Sequence, residues 1–314
     1  MELTSGRVVA VIVTYRPEIP ATRALLRTLV PQVDDVILVD NGSPLRSVSA
    51  LRETTDELGA TLQELGSNRG IAAAQNVGIA WARDRKAAFV LLSDQDSIPA
   101  VDMVARLLDG FSRAVGDGVP VAAVGPVTVD ERNDGAVLLF SEQRWGPRRA
   151  TVPSQDGALI PAAFLIASGC LISAAALDAV GVMNEPWFID HIDLEWGLRA
   201  RRAGYALYGV TGAHLQHELG DRTQRIPGRS RDVHIHSPVR NYYMARNTVL
   251  LIRSGLMVTR WRWGYAAWIT KYTVFYVLSM RPRATRARLL SRGLIDGLRG
   301  RTGPLQDSAI ERGA

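Results

Sequence analysis

A single cysteine, Cys170, stands in a chain of 314 residues. No internal disulfide framework is therefore available, and no Cys/His spacing resembles a zinc site. Such usage fits a reducing, cytoplasmic location. Lysine is almost as scarce: it occurs only at Lys86 and Lys271, so the net charge of +6 is carried by arginine. The amino terminus has no basic segment leading into a long apolar core, and the apolar run at residues 8–14 is too short for a signal sequence. No charge-free span of about twenty residues appears in the carboxyl-terminal region, which argues against a spanning helix. No G-x-G-x-x-G follows the first apolar run and no G-x-x-x-x-G-K-[ST] is present, which weakens dinucleotide-fold and P-loop assignments. Without a zinc finger, an RNP-like aromatic motif or a helix-turn-helix signal, the basic residues do not point to nucleic acid.

What is present is a chain long and apolar enough, at 47% hydrophobic residues, to bury a substantial core in one large domain or a domain with an extension. Residues 7–13 (RVVAVIV) form a continuous apolar run, as expected of a strand buried on both faces of a parallel sheet. Helical spacing follows at 21–30, a second strand at 35–39, a helix at 45–58, a weaker strand at 60–64, a helix at 71–85, and a strand entering Asp94. Alternating strands and helices imply right-handed crossovers and a mostly parallel sheet. The loops at the strand carboxyl ends then converge, giving Thr14, Tyr15, Asp40, Asn41, Asn68, Arg69, Asp94 and Asp96 a shared rim.

The organising stretch is AFVLLSDQDSI at residues 88–98. Its strand delivers Asp94, Gln95 and Asp96 to the rim, where paired carboxylates offer hard oxygen ligands to Mg2+ or Mn2+ holding substrate phosphates. The structural alternative is a polar loop capping the next helix, with Asp96 or Ser97 as N-cap and Pro99 in the first turn. A helix is expected at 101–115 and a strand at 121–127, followed by a Gly- and Pro-rich stretch to 161. The apolar segment 164–173 has a small centre at Ser168 and Gly169, marking close approach of a ligand or simple packing.

A second acidic cluster, WFIDHIDLEWGLR at 187–199, runs into a helix ending near Gly204. Either Asp190 or Asp193 caps that helix, or the acids are chemical, with Asp193 and Glu195 pointing in different directions. Strands are expected at 206–210 and 214–217, where His214 and His217 occupy opposite faces and only one reaches the rim.

These motifs, in this order, resemble the family-two inverting glycosyltransferases of the GT-A fold, and within them the rhamnosyltransferases that assemble bacterial surface polysaccharides. The resemblance covers roughly residues 8–247 and rests on VVAVIVTY, ILVDNGS, NRGIAAAQNVGI, LLSDQDS, SGCLIS, FIDHIDLEWGLRA, HELGD and HSPVRNYYMARN. It implies an α/β fold, a mostly parallel sheet flanked by helices, with a nucleotide-binding half at about 1–127, an acceptor half at about 128–248, a helical extension at 249–302 and a tail at 303–314. It places the nucleotide against Thr14, Tyr15, Asp40, Asn41, Asn68, Arg69, Asp94 and Gln95. It assigns the metal, Mg2+ or Mn2+, to Asp96 and His217, with His214 as competitor for the histidine. Asp193 takes the place of the catalytic base, and Ile192, where relatives often have an acid, leaves Asp190 as the alternative. The implied donor is dTDP-L-rhamnose and the implied acceptor a lipid-linked or growing glycan. In the extension, aromatic residues interleaved with arginines suit an amphipathic helix at the inner face of the plasma membrane, with homodimerisation through the same surface as the alternative.

Overall fold

The computed structural model describes residues 6–116, 118–130, 136–217, 222–224 and 233–306, with the backbone alone at 128–130, 136–137, 217, 222–224 and 233–234. The first half alternates as the sequence pattern predicts: β1 (Val8–Thr14), α1 (Ile19–Leu29), β2 (Asp35–Asp40), α2 (Leu45–Leu58), β3 (Thr61–Glu64), α3 (Ile71–Asp84) and β4 (Phe89–Asp94). β1 pairs in parallel with both β2 and β4, and β2 with β3. Successive β1 side chains enter opposite layers: Val9 and Val11 pack toward α3, while Ala10 and Ile12 pack toward α1 and α4. Residues 8–13 therefore carry no polar side chain because neither face meets water.

β5 (Ser97–Pro99) and α4 (Met103–Gly116) follow. Here the structure corrects the helix-capping reading of the acidic loop. Ser97, Ile98 and Pro99 form an antiparallel strand against Leu215, Gln216 and His217, and α4 starts only at Met103. The backbone of a neighbouring strand, rather than a helix end, satisfies this turn. Ser97 Oγ in turn bonds Ser168 Oγ in the buried interior.

Beyond α4 come β6 (Val121–Asp130), β7 (Ala136–Val137), β8 (Phe140–Ser141), β9 (Arg148–Arg149), β10 (Leu159–Pro161), β11 (Cys170–Ser173), α5 (Ala174–Val180), α6 (Ile192–Arg202) and β12 (Ala206–His217). The main sheet runs β10-β12-β6-β11-β4-β1-β2-β3, with β11 antiparallel between β4 and β6. The two strands expected at 206–210 and 214–217 are one strand, interrupted by a register shift between Val210 and His214. Gly169 settles as packing: at φ +80 a Cβ there would lie 2.6 Å from Pro126 Cγ.

The chain continues through β13 (Arg222–Gln224), β14 (Val233–Ile235), α7 (Pro238–Arg253), α8 (Thr259–Ser279) and α9 (Arg283–Leu298). α7 and α9 pack closely, and α7 is unusual in what it buries: Asn241, Arg246, Asn247 and Thr248 are fully inaccessible. Buried polar groups need hydrogen-bond partners, and the partners of Arg246 and Asn247 shape the site below. Among the described residues no helix is long and apolar enough to cross a membrane.

Candidate active site

One cavity of about 610 Å³ opens at the carboxyl ends of β1, β2 and β4, the position where open α/β sheets bind ligands. The wall at these strand ends is built from short-range turns. Asp40, at the end of β2, is 1% exposed. One of its oxygens accepts from Thr14 Oγ1 at 3.1 Å and Ser43 Oγ at 2.5 Å, the other from the Gly42 and Ser43 amides at 3.1 and 2.9 Å. Thr14 and Asp40 thus sit behind the cavity wall and fix the turn that presents Asn41. Asn41 reaches Asn68 with its Nδ2 at 3.2 Å and accepts from the Arg69 amide at 2.8 Å. Asn41 and Asn68 line the cavity, whereas Arg69 is an exposed residue at its margin.

The tip of β4 completes this wall. Gln95 accepts from the Tyr15 amide at 2.9 Å and donates to the Tyr15 carbonyl at 3.3 Å, locking the ends of β1 and β4 together. Tyr15, Asp94, Gln95 and Asp96 all face the cavity. Of the two histidines weighed for the metal, His214 is exposed, neighbours Asp102 and Asp156 electrostatically, and does not line the cavity. The backbone of His217 pairs with Ser97, next to Asp96, while its side chain lies outside the described residues, as do Glu218 to Asp221 of the HELGD motif. No group of three or more acidic, histidine or cysteine side chains gathers as a metal cage among the described residues. Asp94 and Asp96 nevertheless supply the oxygen donor type that Mg2+ and Mn2+ take together with substrate phosphates and water, so the residues present fit such an ion.

The opposite wall is the turn at 187–191. Phe188, Asp190 and His191 all adopt positive φ, at 68, 66 and 62°. For side-chain-bearing residues each such conformation costs on the order of 1–3 kcal/mol and persists only where surroundings enforce it. α7 enforces it. Asn247 Nδ2 donates to the carbonyls of Trp187, Ile189 and Asp190 at 2.9, 2.7 and 3.0 Å, and Arg246 Nη2 to the Trp187 carbonyl at 2.8 Å. His191 Nε2 lies 2.9 Å from Thr248 Oγ1, and Phe188 stacks on Tyr243 with ring centres 4.9 Å apart. Burial pushes the His191 imidazole down to about 4, so it is neutral at physiological pH. The strand-end wall meets this turn at Gly70. The Ile71 amide donates to the Phe188 carbonyl at 2.8 Å, and a Cβ on Gly70, itself at φ +88, would lie 2.6 Å from that oxygen.

This turn delivers three acids to different surroundings. Asp190 accepts from Arg240 Nη2 at 2.7 Å, and its second oxygen is buried with no hydrogen-bond partner among the described residues. Glu195 is buried behind the wall and held by Arg199 Nε at 2.9 and 3.0 Å, whose Nη atoms donate to the carbonyls of Val180 and Val182. Asp193 faces the cavity, and its carboxylate accepts from the Leu194 amide at 2.8 Å. Desolvation pushes its carboxyl up to about 6, with the negative charges of Asp94 and Asp190 acting in the same direction. Neither Asp190 nor Asp193 is the cap of α6. His191 occupies the N-cap position, with no side-chain cap bond, because Arg240 takes Asp190 and Asp193 already lies inside the first turn.

Of the residues that the sequence pattern points to, Tyr15, Asn41, Asn68, Asp94, Gln95, Asp96, Asp190 and Asp193 meet at one cavity. The pattern does not single out Arg240, Arg246 and Asn247 as functional supports, although all three lie in HSPVRNYYMARN. Their signal is the repeated Arg-Asn pair, Arg240-Asn241 and Arg246-Asn247, on a helix whose neighbouring positions are apolar enough to be buried.

The model of the family "Glycosyl transferase family 2" matches residues 10–181, more than half of the chain. A dTDP-rhamnosyl transferase, RfbF of Shigella flexneri, is 28% identical over 303 residues, covering 95% of this chain and 98% of that protein. Among solved structures, S. aureus TarS 1–349 superposes with a TM-score of 0.57 at 14% identity, covering 93% of this chain and 80% of that one. The mannosyltransferase PcManGT of Pyrobaculum calidifontis, in complex with GDP-Man and Mn2+, superposes with a TM-score of 0.51 at 18% identity, covering 98% and 79%. The mostly parallel sheet with its flanking helices is the GT-A fold, and the chain belongs to glycosyl transferase family 2 and is a glycosyltransferase.

Proposed function

We propose that this enzyme is an inverting rhamnosyltransferase that moves L-rhamnose from dTDP-L-rhamnose to a lipid-linked or growing glycan by direct displacement, with Asp193 as the base. The observation that carries the reading is the pairing of two acidic groups across one cavity: Asp94 and Asp96 at the tip of β4, and Asp193 with a carboxyl pushed up to about 6 on the facing wall. Asp193 takes the proton of the acceptor hydroxyl, whose oxygen forms a bond to the anomeric carbon. The bond from that carbon to the diphosphate breaks on the opposite face, and its electron pair leaves with the nucleoside diphosphate. A base whose pKa lies near the working pH contributes about a hundred- to ten-thousandfold to such a step.

Asp96, with His217, is the proposed holder of Mg2+ or Mn2+, and Asp94 faces the ribose or sugar. When bound, the ion neutralises charge developing on the departing diphosphate. Tyr15, Asn41 and Asn68 contact the nucleoside, on a turn shaped by Thr14 and Asp40, and Arg69 at the margin offers charge-assisted hydrogen bonds to the diphosphate. Asp193 is a better base than Asp190 because the guanidinium of Arg240 already holds Asp190. The donor assignment is supported by the relative from Shigella flexneri, named a dTDP-rhamnosyl transferase. Screening purified enzyme with Mn2+ against dTDP-, UDP- and GDP-linked sugars tests it: the reading expects turnover of dTDP-L-rhamnose well above the rest, and preferential use of a UDP- or GDP-sugar replaces the donor.

A further inference from the structure

α8 carries apolar side chains on two faces, and among the described residues only one of them is covered. Toward the protein, Trp261, Ile269 and Tyr276 are buried, and a continuous aromatic series of Tyr265, Trp268, Tyr272 and Tyr276 leads from beside His191 at the active site. On the other side, Trp263, Ala267, Lys271, Val274 and Leu278 recur at spacings of three or four residues and form one exposed stripe. Trp263 is 69% exposed, Val274 51% and Leu278 64%. Trp145 adds a second exposed indole, with its backbone packed against α8 at Gly264. Exposed tryptophan, valine and leucine side chains aligned on one helix face mark an interaction surface rather than scattered surface apolars, so this stripe calls for an occupant.

The charges identify it. No Asp or Glu occurs from residue 254 to 295, whereas Arg260, Arg262, Lys271, Arg281 and Arg283 are all exposed. A second copy of the chain docking by two-fold symmetry would set this face against itself. Cation would then meet cation with no acid on the stripe to offset it. An anionic bilayer surface supplies both requirements, an apolar boundary for the indoles and aliphatic side chains and negative headgroups for the basic residues.

We propose that α8 lies in the interface of an anionic lipid bilayer, with the Trp263, Val274 and Leu278 stripe in the headgroup region. The inner face of the same helix adjoins His191, a residue of the cavity wall, so docking sets that wall one helix away from the membrane surface. This inference is independent of the donor sugar and of the identity of the base.

The test floats the full-length protein with vesicles of phosphatidylcholine alone or mixed with phosphatidylglycerol, at low and high salt, and measures the lipid-free protein by light scattering. Flotation with phosphatidylglycerol is expected, weakened about tenfold by high salt or by its omission. The triple substitution Trp263→Ser, Val274→Ser, Leu278→Ser is expected to lose binding by about tenfold or more, while its thermal melt and nucleotide-sugar affinity stay unchanged. Arg260→Glu with Lys271→Glu, two changes at exposed positions, provides the same readout should the triple variant fold poorly. The proposal is overturned if wild-type protein stays unbound with phosphatidylglycerol vesicles, or if it is a dimer that the triple substitution converts to monomer.

Discussion

The two walls of the cavity are built on opposite principles. The donor wall is made by strand ends and the turns that directly follow them: Asp40 is satisfied by Gly42 and Ser43 within its own turn and by Thr14 on the neighbouring strand. The facing wall is a turn with three side-chain-bearing residues at positive φ, held by Asn247 from 57 to 60 positions along the chain. A wall of local turns, with Arg16 alone at positive φ among its side-chain-bearing residues, suits the many weak contacts proposed for a nucleotide sugar. The strained wall fixes one carboxylate, Asp193, in a desolvated position that water alone would not favour.

If that division is correct, substitutions on the two walls separate binding from turnover. The largest effect is expected from Asp193→Asn, which should lower kcat by about a hundred- to ten-thousandfold with donor affinity, measured by calorimetry, nearly unchanged. Removing the brace comes next. Asn247→Ala leaves the Ile189 and Asp190 carbonyls of the strained turn without this donor, while the Trp187 carbonyl keeps Arg246 Nη2, and should cost about 2–3 kcal/mol of stability and lower kcat by about ten- to a hundredfold through misplacement of Asp193. Circular dichroism melts and steady-state rates at a permissive temperature read both, and a loss confined to donor affinity would break the comparison.

A smaller effect concerns Asp193 and pH. Its folded-state pKa of about 6 lies above the ordinary 3.8, so the folded protein holds this proton more tightly than the unfolded chain. The group's contribution to stability is fully present below about pH 4 and is lost as pH rises toward 6. Asp193→Asn should therefore be more stable than wild type at pH 7.5, by up to about 3 kcal/mol, and show no such gain at pH 4. A variant less stable at pH 7.5 would contradict the desolvation of Asp193. The smallest expected change is on the donor wall: Gln95→Ala removes two hydrogen bonds to the Tyr15 backbone and should weaken donor binding severalfold, with a stability loss of about 1 kcal/mol and kcat little altered.

The same contrast explains which parts are legible in the sequence. The donor wall follows from apolar runs and the polar residues directly after them, so the strand pattern alone puts Tyr15, Asn41, Asn68 and Asp94 through Asp96 on one rim. The pattern puts Asp40 there too, yet its carboxylate faces inward, because occupancy of an acid by nearby amides depends on turn geometry that no periodicity encodes. On the facing wall Asp190 and Asp193 are recognisable as acids at a helix start, but the distinction between them is not. That depends on Arg240, which contacts Asp190 from fifty positions away. The alternative reading of residues 96–99 as a helix cap and first turn fails for a similar reason: residues 97–99 fold as a strand, and the partner strand that extends them lies more than a hundred residues later.

The central claim is that Asp193 accepts the acceptor's proton. Its most direct test is kcat as a function of pH, from about pH 5 to about pH 8, at saturating donor, acceptor and Mn2+, for wild type and Asp193→Asn. The account predicts a wild-type rate that rises with pH through a single ionisation, and a residual Asp193→Asn rate in which that ionisation is absent. An Asp193→Asn enzyme that retains the wild-type pH dependence would contradict it.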